Sequence, residues 1–262
     1  MNDLLKQLAP VERKHPLLPE LSPRAELALL CRVLFREGYN DHIAGHISYK
    51  QADGTLLMNP WELAWDEVCA EDVLRIDPAS GKVIEGHWNV TPAVNVHLEV
   101  HAARGEDVRV VIHNHSRFGS VWASARRVPP IYDQTSAMVD GEICLVDEYR
   151  GTVEAKERGG SAVATLGGAK WALLANHGVL LVAGSISQAY LRAATLEWRC
   201  RHAWHVEALG GGAPLDPAVA EETGARIDTN GFPFLWEAEA RRELRAHPEA
   251  LTSAPPLTCR TS

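Results

Sequence analysis

Two short apolar segments constrain this chain more than any other feature: RVVIHNHSRFG (Arg109–Gly119) and ALLANHGVLLVAG (Ala172–Gly184). Both read as strands, and between them they carry His113, His115 and His177. In a strand alternate side chains share a face, so His113 and His115 point one way and Asn114 the other. Two imidazoles at that spacing grip one cation, and a third from a neighbouring strand completes a facial set with open positions. Such openness separates a catalytic metal site from a closed structural one. Each histidine alone reads as a satisfied strand-end side chain; the pair, with a third followed directly by Gly178, reads as a metal site.

The chain has 262 residues, 46% of them hydrophobic, enough to bury a proper core in one large domain or one domain with an appendage. The formal charge is -8 and the basic residues are dispersed, which leaves no electrostatic footprint for nucleic acid or an anionic membrane. Its five cysteines are an odd number, far apart and without CxxC spacing, which points to a reducing, cytoplasmic setting. The N-terminal residues lack the basic start and apolar run of a signal peptide. No apolar stretch approaches the ~20 residues of a membrane-spanning helix.

Residues 1–20 are Pro-rich and read as an arm, residues 21–210 as the domain proper, and residues 211–262 as an extension with one helix and a frayed tail. Ser22-Pro23 opens the first helix, with a capping hydroxyl and a proline suited to the first turn. HISYK and TLLMNP form a hairpin turning at Asp53-Gly54, and VLRIDPASGKVIEG a second one. Thr91-Pro92 starts a helix through Arg104, and Ser187 begins the longest helix. The last helix centres on FLWEAEARRELRAH. Helices interleaved with hairpins predict one mixed α/β domain on a mostly antiparallel sheet.

The other histidine patterns carry less. His97 and His101 are four apart, but HLEVH matches neither zinc-peptidase motif and reads as a helix with two semi-buried histidines. His42 and His46 flank Gly45 in a loop. There is no nucleophile elbow, dinucleotide fingerprint or phosphate-binding P-loop, and Cys144 reads as a buried thiol. Metal chemistry is the one strong signal.

The order GHIS (Gly45–Ser48), MNP (Met58–Pro60), a Thr-Pro helix start ahead of His97, then IHNHS and ANHG resembles the class II aldolase/adducin family, over about residues 22–210. The resemblance implies a single α/β/α layered domain, usually in a four-fold homotetramer, acting on a small-molecule substrate. It also implies one divalent ion per subunit (zinc, manganese or iron) on His113, His115 and His177, with Lewis-acid catalysis. Gly45, Ser48, Trp61 and Glu62 fall at its substrate-binding positions. The departures are informative. Where the family's aldolases carry a catalytic Glu, this chain has Thr91-Pro92-Ala93. Their Gly-Asn and Ser-Gly phosphate cradles read Gly45-His46 and Trp61-Glu62, which crowd and repel a phosphate dianion. Trp61, Trp65 and Trp88 are instead candidates to line a flat apolar pocket.

These features predict a metal-dependent lyase, a decarboxylase or retro-aldolase, acting on an unphosphorylated hydroxy- or oxo-acid, aromatic acids included. Tyr132 and His46 are its candidate catalytic proton donors. An alternative is a non-haem Fe(II) oxygenase of an aryl hydroxy- or keto-acid, since three neutral ligands leave positions for dioxygen. A second alternative is an adducin-like interaction protein without catalysis, against which the retention of all three histidines speaks.

Overall fold

Val110–Asn114 form strand β5, the β-branched run predicted from the sequence, and the domain is assembled around it. In the computed structural model, residues 17–147, 166–229 and 231–253 are described. The expected arm up to residue 16 and the tail from residue 254 lie outside them. β5 pairs antiparallel with β1 (His46–Lys50) on one side and β8 (Gly178–Ala183) on the other. β1 continues through β2 (Leu56–Met58), β3 (Leu74–Ile76) and β4 (Val83–Glu85), each antiparallel to the last. β8 continues into β7 (Trp171–Leu174), and β6 (Cys144–Val146) closes that edge as the parallel member. The sheet has eight strands in the order β4-β3-β2-β1-β5-β8-β7-β6. Its mostly antiparallel character is the expected one.

The strands alternate strictly between two buried faces. Val110 and Ile112 of β5, with Ile47 and Tyr49 of β1, join the main core beneath α1 (Pro23–Arg36) and α4 (Ile186–Ala208). Val111 joins Val96 and Val100 of α2 (Val94–Arg104) on the opposite face. His46, Ser48 and His113 share that second face by parity, so α2 lies over them. The result is an α/β domain with helices on both sides of one sheet.

Local chemistry places the helix ends. Ser22 caps α1 by accepting from the Ala25 amide at 3.2 Å, with Pro23 following, as read from the sequence. α4 starts one residue before the expected Ser187, because the Ser185 hydroxyl takes the Gln188 amide. α2 starts at Val94, three residues later than expected. The Thr91 hydroxyl accepts from Ala93, so Thr91-Pro92-Ala93 is a turn outside the helix. Short α3 (Gly119–Ala125) follows β5.

The C-terminal part holds two helices where one was expected: α5 (Pro217–Asp228) and α6 (Pro233–Ala246). Asp216-Pro217 is the same capping signature as Ser22-Pro23, but only Ala220, Gly224 and Asp228 of α5 are buried, too weak an apolar face to show in sequence. α6 contributes Trp236 and Ala240 to the main core. Arg32 of α1 bonds Glu243 of α6 at 2.7 Å, both side chains buried.

Asp228 ties α5 to the domain. Its carboxylate takes the Arg192 guanidinium at 2.9 and 2.8 Å and Lys170 at 2.7 Å. Burial alone pushes this carboxyl up; the two cations prevail and hold it below the ordinary 3.8. A depressed carboxylate stabilises above its unfolded pKa and loses that contribution as pH falls through the folded one. Asp228→Ala leaves the buried Arg192 unpaired and is expected to cost about 3–5 kcal/mol in urea melts at pH 7. A loss under ~1 kcal/mol would show the network to be idle.

Candidate metal centre

His113 lies near the C-terminal end of β5, His115 just past it, and His177 in the turn Ala175–His177 between β7 and β8. His115 was expected inside a strand and sits just past its end, while His177 falls where the second segment was expected to break. The turn owes its shape to Asn176, at φ 54, and to the His177 amide donating to Leu174 at 2.9 Å. A Cβ on Gly178 would stand 2.4 Å from the Asn114 carbonyl and 2.8 Å from the His115 ring, so only glycine lets β8 approach this closely. The ring centroids are 4.7 Å apart for His113 and His177 and 4.8 Å for His115 and His177. One ligand atom from each of the three converges, all within 4.8 Å of one another.

The protein prepares these rings for a cation. His113 Nδ1 donates to the Val179 carbonyl at 2.9 Å and His115 Nδ1 to the Asp41 carboxylate at 2.8 Å. Both therefore offer Nε2, oriented from behind as metal-bound histidines are. Burial, with the neighbouring rings adding to it, holds His113 well below its usual 6.5 and His177 at about 4. Three imidazole nitrogens brought this close together suit a divalent transition ion; the donor set fits.

Beside the rings lies a cavity of about 270 Å³ lined by Ile43, Ala44, Gly45, His46, Trp61, Thr91, Pro92, Ala93 and the three histidines. No carboxylate, lysine or arginine is among these residues. Ala93 stands in the wall, in the turn where the family resemblance led a Glu to be expected. A second hollow opens on the far side of His115 and His177, lined by Asn40, Asp41, Ser116, Arg117 and Ser120.

The expected substrate residues divide. Gly45, His46 and Trp61 line the cavity. Gly45 has φ +118, and a Cβ there would strike Asn114 Nδ2 at 2.1 Å. Ser48 and Glu62 do not line it. Ser48 is wholly buried beneath α2, and the Glu62 carboxylate accepts from the Asn89 amide at 3.2 and 3.1 Å. Trp65 is core, stacked on Tyr39, and Trp88 bonds Asp72, so Trp61 alone of the three tryptophans reaches the cavity. Tyr132 is not brought to the histidines; it packs half-buried on the main core and faces Gly212.

Sequence reasoning missed the residues behind the wall. His97 and His101, expected semi-buried, are fully buried and hydrogen-bonded in a row. His46 Nδ1 meets His97 Nε2 at 2.6 Å, and His97 Nδ1 meets the Ser48 hydroxyl at 2.7 Å. The same hydroxyl meets His101 Nε2 at 2.8 Å, and His101 Nδ1 meets the Val108 carbonyl at 3.4 Å. Asp41 was also missed. The i, i+4 spacing of His97 and His101 was the available signal for the row; Asp41 gave none.

The fold and this cluster together define the class: residues 25–204 match the class II aldolase and adducin N-terminal domain, and the chain belongs to that family. It is 31% identical over 245 residues to a 4-hydroxy-3-prenylphenylpyruvate oxygenase/4-hydroxy-3-prenylbenzoate synthase of Streptomyces roseochromogenus subsp. oscitans, covering 89% of this chain and 86% of that one. It is 30% identical over 241 residues to the decarboxylase NovR of Streptomyces niveus, covering 88% and 87%. In structure it is similar to L-fuculose 1-phosphate aldolase from Glaciozyma antarctica PI12, with a TM-score of 0.78 over 90% of this chain and 97% of that one at 22% identity.

Two outcomes are expected. Asp41→Ala frees the His115 ring and is expected to weaken zinc binding about 10–100-fold by calorimetry, with the fold intact. An unchanged affinity would remove Asp41 from the site. The second concerns acid. His101 and His177 titrate at about 4 when folded against 6.5 ordinarily, so the unfolded chain binds more protons between those values. Stability of the metal-free protein is then complete above pH 6.5 and falls as pH drops toward 4. Urea midpoints that stay flat across this window would contradict it.

Proposed function

We propose that the chain is a metal-dependent enzyme that cleaves the carbon–carbon bond beside the carboxylate of an unphosphorylated aryl hydroxy- or oxo-acid. The observation that carries this reading is the cavity wall at the three histidines, which holds an indole and small apolar side chains but neither a carboxylate nor a cation. A sugar phosphate is met by cationic donors and a carboxylate acid/base group, and this wall holds no lysine, arginine or carboxylate. An aromatic ring is accommodated by Trp61, Ile43 and Pro92. A divalent ion on His113, His115 and His177 supplies Lewis-acid polarisation of the substrate oxygens that it holds. Asp41 fixes the orientation of His115, and Arg117, exposed in the adjoining hollow, offers a cation to the carboxylate end.

The name of one relative pairs a phenylpyruvate with a benzoate, which supports an aryl acid, and the other is named a decarboxylase, which supports cleavage beside a carboxylate. The lyase reading, a decarboxylase or retro-aldolase, needs no strong base, which suits Ala93. The oxygenase-named relative favours a second reading, oxidative cleavage with Fe(II) at the same three histidines. Convergent imidazoles speak against an adducin-like role without catalysis, because crowding rings together away from water costs folding energy. A four-fold homotetramer belongs to the same reading, and the exposed Trp204 and Leu209 at the end of α4 are apolar surface for a neighbouring copy to cover.

The test uses protein loaded in turn with Fe(II), Mn(II) and Zn(II), given 4-hydroxyphenylpyruvate or 4-hydroxymandelate in air and under nitrogen. Carbon dioxide release is expected, with an aldehyde or alcohol left under nitrogen and a shortened acid only where dioxygen serves as oxidant, and all turnover abolished in His113→Ala. Arg117→Ala is expected to raise KM about tenfold, the worth of one charge-assisted contact. Dioxygen consumption selects the oxygenase; turnover under nitrogen selects the lyase. Cleavage of L-fuculose 1-phosphate without turnover of either aryl acid would overturn the proposal.

A further inference from the structure

The row of hydrogen bonds behind the cavity has a direction, and its far end sets it. The Val108 carbonyl can only accept, so His101 must place its proton on Nδ1 and leave Nε2 bare. The Ser48 hydroxyl has one proton. It donates that proton to His101 Nε2, and its oxygen therefore accepts from His97 Nδ1. His97 Nε2 is left bare and accepts from His46 Nδ1. Every link follows from the one before, because a neutral imidazole has a single N–H to place. Burial keeps the three rings neutral, with His101 at about 4.

Reversing the row would turn the bare His101 Nδ1 lone pair against the lone pairs of the Val108 carbonyl. It would also forfeit a hydrogen bond in a buried site, where such losses weigh most. The residues in the row are nearly inaccessible: His97 and Ser48 are 0% exposed, His101 6% and His46 7%. The row ends on a backbone carbonyl inside the protein, so it is an anchor and not a path for protons to solvent.

We propose that His101, Ser48 and His97 are positioning residues that lock His46 in its Nδ1–H form, so that His46 presents a bare Nε2 to the substrate as a hydrogen-bond acceptor. The His46 ring lines the cavity and lies 4.9 Å from the His113 ring, centroid to centroid. It is set to accept a hydrogen bond from a substrate hydroxyl or enol beside the metal ligands. This reverses the sequence expectation for His46: the group accepts a hydrogen bond and does not donate one. The chemical identity of the donor rests on the function proposed above; the lock itself is a property of the free protein.

The test reads the tautomers directly. Metal-free protein with 15N-labelled histidine is examined by long-range 1H–15N correlation at neutral pH, with Ser48→Ala, Ser48→Thr and His101→Phe alongside. In the wild type, His46, His97 and His101 are expected to show a protonated Nδ1 and a bare Nε2. Ser48→Ala and His101→Phe are expected to mix the two forms at His46, with the His113 signals unmoved as a control for folding. Ser48→Thr, which restores the hydroxyl, is expected to return the wild-type pattern. Zinc affinity is expected to be unchanged in Ser48→Ala, while turnover of an aryl acid falls on the order of tenfold. A wild-type His46 protonated at Nε2, or one indifferent to Ser48→Ala, overturns the lock. Inactivity of the wild type toward aryl acids, with the tautomer pattern as expected, overturns the functional reading alone.

Discussion

The antiparallel pairing of β5 with β1 and β8 is the constraint on which the rest of the structure depends. Its register sets His113 opposite His46 on one side and opposite Leu180 on the other. Because side chains alternate along a strand, a slip of one residue would carry His113 to the main-core face and bring Asn114 under α2. Both faces are buried, so that slip is strongly opposed. The register also ends β5 level with Gly178, which carries His177 to the ends of His113 and His115. One pairing pattern thus builds the sheet and assembles the three rings.

Gathering neutral imidazoles in this way works against folding. Burial and mutual repulsion hold His46, His97 and His113 below their ordinary titration range, and the unfolded chain regains protons that the folded one refuses. Each ring is compensated from behind: His113 by a carbonyl, His115 by Asp41, and His46 by the row through His97 and Ser48. The core that withstands this cost is completed by the C-terminal helices. Trp236 enters it directly, and Asp228 closes a buried network with Arg192 and Lys170. Residues remote from the cavity therefore stabilise the charge-poor arrangement inside it.

Much of the centre was legible because it follows local rules. Period-two alternation in VVIHNH predicted that His113 and His115 share a face, and Asp53-Gly54 and Ser22-Pro23 marked a hairpin and a helix start. The absence of a carboxylate at Ala93 was equally readable, and that position stands in the cavity wall. What escaped had no local signal. Ser48 lies in a strand with nothing nearby to show that its hydroxyl would meet two imidazoles from a helix some fifty residues on. Glu62, expected at the substrate, is turned to Asn89, and Tyr132 packs on the core, because loop side chains answer to neighbours far away in sequence. α5 was missed because its buried face is too narrow to leave a periodic trace.

By itself the sequence determined the strand pattern, the mostly antiparallel α/β class and the identity of the three convergent histidines, since these depend on side-chain alternation, turn chemistry and residue type. Only the tertiary structure decided which groups stand behind those histidines, which tryptophan reaches the cavity, and which nitrogen of His46 faces it. The reason is physical. Alternation is a property of a single strand, whereas the placement of a proton on an imidazole is decided by the last acceptor in a row that crosses from sheet to helix and ends on a backbone carbonyl.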